Sequence, residues 1–256
     1  MKLLKKIRTF SLTAAAIRSC GLLFLAAGMF GYIMQVNVLG AGGASNTELF
    51  NALQADSGLM MSATLAVVGQ ALEACAVPIF AFLLVEGGFH TSNFPKYFLR
   101  VLGLAAVSQF PYNLLMAGGL LKFYRLNPVF AAVLSMTMLY FFRRFPTKKA
   151  GHIAIKCCAF LFAFLWSNML GVSHGAACVI VTAVLWGFRE KPNLRTTFGV
   201  IVMLCCVVLS TFYMVAPISF LLIYFYSGEQ GSHNRMVNYM AYPVLLLICG
   251  MMSMFR

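Results

Sequence analysis

Apolar runs of bilayer length recur along this chain, over residues 19–36, 58–86, 101–117, 128–142, 152–167, 170–188, 197–226 and 236–255, with only short polar breaks between them. A hydrocarbon core about 30 Å thick is crossed by roughly 20 apolar residues in a helix. Lipid offers no partner to an open backbone, so each segment must pair its own amides and carbonyls, and continuous runs without alternation select helices. With 61% hydrophobic and 10% charged residues, the chain carries more apolar surface than a soluble globule of 256 residues can hide. The expectation is an all-α, polytopic transmembrane helical bundle, one domain over residues 1–256, with eight or nine spans. The count rests on residues 197–226, which Pro217 interrupts: read as two spans they give nine, read as one they give eight, and the side of the C-terminus follows that parity. The 58–86 run is too long for one upright crossing and is expected to tilt or to begin as a surface helix.

Charge placement orients the bundle. The chain has 19 Lys and Arg against 6 Asp and Glu, a net charge of +13. Lys2, Lys5, Lys6 and Arg8 precede the first run, and basic loops at 87–100, 143–149 and 189–195 alternate with loops poor in Lys and Arg. The longest of the latter, 35–57, has neither, but holds Glu48 and Asp56. This is the positive-inside pattern, with the N-terminus and basic loops cytoplasmic and 35–57 extracytoplasmic. Basic residues so placed set topology and meet anionic head groups of the lipid bilayer, which argues against nucleic acid as a partner. The first run is long for a signal peptide and is read as a retained span. The eight cysteines lie in or beside apolar runs, form no C-x-x-C pair, and read as small buried hydrophobes. His152 and His174 have no acid or thiol at ligand spacing, so no metal is expected.

Charged side chains near the bilayer centre cost about 2.5–3.5 kcal/mol on insertion scales, so each calls for a partner or a role. Arg18 and Lys156 have stems long enough to snorkel to the interface. Glu73 is short and has no basic neighbour in sequence, so it must be neutral, paired across helices or facing water. Glu86 and His90 share a face if the helix continues through Gly87 and Gly88; the acid would then fix the tautomer of the imidazole and raise its basicity. If the glycines end the helix, both are ordinary interfacial residues. The segment Gly228-Glu229-Gln230-Gly231 reads as a connecting turn with Glu229 exposed. Residues 109–113 (Gln-Phe-Pro-Tyr-Asn) and the Asn127-Pro128 pair interrupt apolar runs as kinks, with substrate lining the alternative.

Taken together, the block 78–100, the segments 108–114 and 126–130, the later 226–231 and the Tyr-Met-Ala-Tyr-Pro of 239–243 resemble the TraX family in order and spacing over most of the chain. The resemblance implies an integral-membrane acyltransferase of the bacterial cytoplasmic membrane that acetylates the N-terminus of a pilin-like subunit in conjugation systems. It also implies acetyl-CoA as donor and a pilin-like membrane peptide as partner. The chain departs from the family where its first span carries Asp-His-Ile-Gly, since Gly28-Met29-Phe30-Gly31 stands there instead. A Gly-Arg pair of the family is matched by Glu73-Ala74, and an Asp-Tyr-Gly by Ser173-His174-Gly175.

With the first-span histidine missing, His90 backed by Glu86 is the candidate base. Lys96, Arg100, Arg143 and Arg144 are candidates to hold the donor's phosphates, and Glu73, His174 and Glu229 are further polar candidates. Two other readings compete with acyl transfer. One is a non-catalytic membrane protein that binds or assembles a small hydrophobic partner, which the missing histidine favours. The other is a small-molecule carrier, suggested by Glu73 and the proline-broken spans, although no inverted repeat is visible.

Overall fold

A computed structural model describes residues 11–41, 46–147, 149–231 and 235–254. Lys2, Lys5, Lys6, Arg8 and Lys148 lie outside them. The regular elements among the described residues are helices, joined by turns and loops that carry two isolated backbone bridges, Leu12 with Tyr226 and Leu126 with Val172. The α-helices are α1 Ala14–Ala41, α2 Asn46–Ala55, α3 Ser57–Ala74, α4 Ala76–His90, α5 Phe94–Ala117, α6 Val129–Arg144, α7 Ala150–Met169, α8 Gly175–Gly187, α9 Pro192–Cys205, α10 Ser219–Tyr224 and α11 Arg235–Met254. Between α9 and α10 run three 3₁₀ turns, Cys206–Val208, Thr211–Met214 and Ala216–Ile218.

Three stretches among the described residues are long and apolar enough to cross a membrane: Ala14–Gly40, Ser57–His90 and Ala150–Met169. Shorter apolar helices, including Gly175–Gly187 and Tyr239–Met254, pack with them. The long run is interrupted at Cys75, which divides it into α3 and α4. Pro78 explains the break: it has no amide to give the carbonyl of Ala74, and its ring crowds that carbonyl. The 197–226 region also breaks, but ahead of Pro217, where Ser210 turns extended between 3₁₀ segments. The six-residue α10 that follows is far too short to span.

Two short, strongly apolar helices, α4 up to Val85 and α8, form the centre. Phe82, Ile79, Val179, Leu185, Met136 and Phe220 are buried there. A second cluster joins Leu25, Met29 and Ile33 of α1 to Tyr112 and Leu115 of α5 and to Tyr242 and Leu246 of α11. Helices α1 and α3 meet backbone to backbone. A Cβ on Gly69 would stand 2.5 Å from the carbonyl of Ala27, and one on Gly31 2.9 Å from that of Ala66. Small residues thus let two apolar helices approach closely where no hydrophobic force separates helix from lipid.

The expected loops are largely helical. Residues 35–41 complete α1, α2 fills most of the rest of 35–57, and Asp56 caps α3 through the amides of Gly58 and Leu59. In 87–100 the chain continues as helix to His90 and resumes at Phe94, where Asn93 caps the amide of Lys96. Gly87 does not end α4; it makes room for Tyr97, whose hydroxyl lies 2.7 Å from where a Cβ would be. Four cysteines are buried as expected, but Cys157, Cys158 and Cys205 face outward.

One end of the bundle gathers Arg143, Arg189 and Arg195. Arg143 of α6 donates to the carbonyls of Gly88 (2.9 Å) and Thr91 (3.1 Å), Arg195 of α9 meets Glu86, and Arg189 lies over Phe89 and Trp186. The loop 225–231 closes this end over the start of α1. Leu12 bonds Phe225 and Ser227, and the amides of Ala14 and Ala15 donate to the carbonyls of Glu229 and Gln230. These bonds satisfy first-turn amides that helix geometry leaves without partners. The 228–231 motif is therefore a backbone cap, and the Glu229 side chain is exposed.

Candidate functional site

Inside the bundle lies a cavity of ≈ 250 Å³. Its walls are largely apolar, with Leu22, Leu25, Val77, Phe80, Leu84 and Val129 among them. Arg18, Tyr97 and Tyr239 line it toward the basic end, and Glu73, His174 and Tyr242 line it deeper in. The distance follows from α1. Ten residues separate Arg18 from Gly28, the residue against Glu73, which at 1.5 Å per residue is about 15 Å.

The polar groups of the deep end come from three separate parts of the chain. Glu73 stands in the last turn of α3, just before the break at Cys75, and faces α1 at Gly28. A Cβ on Gly28 would lie 2.4 Å from both Cβ and Oε2 of Glu73, so the glycine is the recess that admits the carboxyl group. His174 ends the α7–α8 turn and precedes the first residue of α8. Its φ of +56° makes it the one non-glycine residue with positive φ among the described residues. Such a conformation is uncommon outside glycine and costs on the order of 1–3 kcal/mol, and residues held in it gather at functional sites. Tyr213 comes from the second 3₁₀ turn.

These three side chains form a line. His174 Nδ1 and the Tyr213 hydroxyl are 2.7 Å apart, and His174 Nε2 stands 3.6 Å from Glu73 Oε1. The first distance is a hydrogen bond; the second is just beyond one. With Nδ1 occupied by the phenol, Nε2 is the nitrogen turned to the acid. Glu73 and His174 are 19% and 28% exposed, reached through the cavity they line. The arrangement suits an imidazole that takes a proton at Nε2 and a carboxylate that stabilises the resulting cation. No side chain caps the start of α8, so its amide end lies beside His174 with the positive pole of the helix.

The turn carrying His174 is held by the polar residues that interrupt the apolar runs. Tyr112 and Ser173 share a 2.6 Å hydrogen bond, and the Ser173 amide donates to the carbonyl of Leu126. Gln109 accepts from the backbone and side-chain amides of Asn127, each at 3.0 Å, and donates to Asn113 and to the carbonyl of Arg125. Asn127 also reaches the carbonyl of Ala105 at 2.8 Å. These residues fold the 118–128 connection back against α5; apart from Pro128, they do not line the cavity.

The Glu86–His90 pair forms as the spacing suggests, with 3.3 Å between Nε2 and Oε2. It lies elsewhere, for neither residue lines the cavity. His90 is 59% exposed, and Glu86 also faces the buried Arg195 at 3.6 Å. Lys96, Arg100 and Arg144 are exposed at the basic end, and Arg143 is committed to two carbonyls. The sequence residues thus separate into two groups. Glu73 and His174 converge on the cavity, while Glu86, His90 and the basic residues 96, 100, 143 and 144 stand at the basic end outside it. Arg18, Tyr213 and Gly28 were not singled out as site residues by sequence. An arginine at the head of a span reads as a snorkelling cation, and the other two acquire their roles only through partners distant in the chain.

No curated protein and no solved structure matches the chain. The family model described as TraX protein matches residues 50–253, a range that covers α3–α10 in full and leaves out α1 with its Gly28–Gly31 departure. With most of its length so matched, the chain belongs to the TraX family.

Proposed function

We propose that this protein is a membrane acyltransferase that moves an acetyl group from acetyl-CoA to an amine, such as the N-terminus of a pilin-like membrane peptide, with His174 as the base. The observation that carries the reading is the Glu73–His174–Tyr213 line at the deep end of a cavity whose other end carries a cation. The cavity is smaller than the roughly 300–1,000 Å³ of pockets that enclose whole ligands, so it takes a slender arm and leaves a nucleotide outside. Lys96, Arg100 and Arg144 are exposed at the basic end to meet the nucleotide's phosphates.

In the transfer, the acceptor amine attacks the thioester carbonyl and the C–N bond forms. His174 Nε2 takes the amine proton, Glu73 stabilises the imidazolium, and Tyr213 holds the ring through Nδ1. The oxyanion of the tetrahedral intermediate faces the amide end of α8. The C–S bond then breaks, and His174 returns its proton to the leaving thiolate. The basic end is cytoplasmic in this reading, as a cytoplasmic donor requires.

The test is release of CoA thiol, together with acid-stable transfer of labelled acetyl to an amine-bearing membrane peptide, by the full chain in lipid nanodiscs. Wild type is expected to perform both, and His174→Ala to lose about 10²–10⁴-fold, the range for a general base. Transfer by His174→Ala at the wild-type rate would remove His174 from the mechanism. Absence of transfer by wild type, with a hydrophobic peptide still captured, would favour the non-catalytic binding protein.

A further inference from the structure

Arg18 stands apart from the other arginines that reach into the bundle. Arg143 is held by two carbonyls, Arg189 by Glu190 and the carbonyl of Trp186, and Arg195 faces Glu86. Arg18 lines the cavity and has neither an ion-pair nor a hydrogen-bond partner among the described residues. A guanidinium has five donors in a planar fork that matches phosphate, and those of Arg18 are left open to a ligand entering the cavity. Below it the wall is Leu22, Leu25, Val77, Phe80 and Leu84 for about 15 Å, until Glu73 and His174. The cavity thus has a cation at one end, an acid–base pair at the other and hydrocarbon between.

We propose that Arg18 is the anion anchor for a linear, phosphate-headed molecule that lies along this cavity with its far end at Glu73 and His174. This deepens the acyl-transfer reading by naming what the cavity holds and which residue fixes its register. The 4′-phosphopantetheine arm has the required form, with one phosphate, a slender chain and a terminal sulfur. A phospholipid offers the same chemistry, a phosphate followed by hydrocarbon, and the test distinguishes the two sources.

Binding is measured calorimetrically on the full chain in phosphatidylcholine nanodiscs, with 4′-phosphopantetheine and pantetheine as probes. The phosphate is expected to improve wild-type binding at least tenfold. That preference should fall to about onefold in Arg18→Gln and be kept in part by Arg18→Lys, which retains the charge without the fork and gives the reading if the glutamine variant does not fold. In a second arm, native mass spectrometry follows protein taken from nanodiscs containing phosphatidylglycerol. One phosphatidylglycerol retained by wild type and lost from the Arg18 variants, with no preference for the phosphorylated arm, would support the anchor and make the ligand a lipid. No phosphate preference and no retained lipid in wild type, or variants equal to wild type in both arms, would overturn the proposal. His174→Ala should keep the phosphate preference. In wild type, absence of transfer with intact phosphate preference would count against the acyl-transfer chemistry, and absence of phosphate preference with intact transfer against the anchor.

Discussion

Gly28 provides a sharp test of the packing that places Glu73. In Gly28→Ala the new Cβ would lie 2.4 Å from the Cβ of Glu73, more than 1 Å inside the usual carbon–carbon contact of about 3.5–4.0 Å. Rotating the Glu73 side chain relieves only its carboxyl end, because its Cβ is fixed to the α3 backbone. The helices have little freedom to part, since Gly31 and Gly69 already bring their backbones together. Overpacking of this kind costs about 1–3 kcal/mol. If Glu73 is the obstacle, the same substitution in a Glu73→Gly background should cost under about 0.5 kcal/mol. The double-mutant cycle would then give a coupling of about 1–2 kcal/mol. The assay is reversible denaturant unfolding in micelles followed by far-ultraviolet circular dichroism, with transfer measured on the same samples. Gly28→Ala should also slow transfer, because the displaced carboxylate leaves His174. Equal destabilisation in both backgrounds would refute the reasoning.

Other expectations follow from the same contacts. Glu86→Gln leaves Arg195 buried and without its carboxylate, so it should lower stability by about 3 kcal/mol in the same unfolding assay. His90→Ala removes only the exposed partner and should change stability by under about 1 kcal/mol, with transfer per folded molecule unchanged. Gln109→Leu takes from the buried Asn127 amide its hydrogen-bond partner, at about 1–3 kcal/mol for a buried group left unpaired. Because that network sits beside the Ser173–His174 turn, Gln109→Leu should also reduce transfer from outside the cavity. His174→Asn keeps a residue tolerant of positive φ, so it should preserve the fold by circular dichroism while abolishing transfer.

The helical architecture was legible because continuous apolar runs of bilayer length, whose backbone must pair within the segment, select helices locally. The spacing of Glu86 and His90 was legible for the same reason, and the two residues do meet. What the spacing did not carry was their setting. The buried Arg195 that shares Glu86 and the Tyr97 hydroxyl beside Gly87 come from other helices, and together they make this a packed part of the basic end. The break at Cys75 left a trace in sequence, since Pro78 lacks the amide that would bond Ala74, but it was masked by the unbroken apolarity of the run. Glu73 and His174 were each visible as polar residues out of place. Their meeting was not, because it depends on the α7–α8 turn folding back to α3, and on a glycine in α1 whose role is to have no side chain. The first-span departure and the Glu73 carboxyl occupy the same space, which no reading of one segment at a time reveals.

The central claim is that chemistry belongs to the cavity pair and not to the pair at the basic end. Acetyl transfer from acetyl-CoA, measured side by side for wild type, His174→Ala and His90→Ala in nanodiscs and normalised to folded protein, tests it most directly. The account expects His90→Ala to match wild type and His174→Ala to fall at least 100-fold. Loss of transfer in His90→Ala with His174→Ala unimpaired would contradict it.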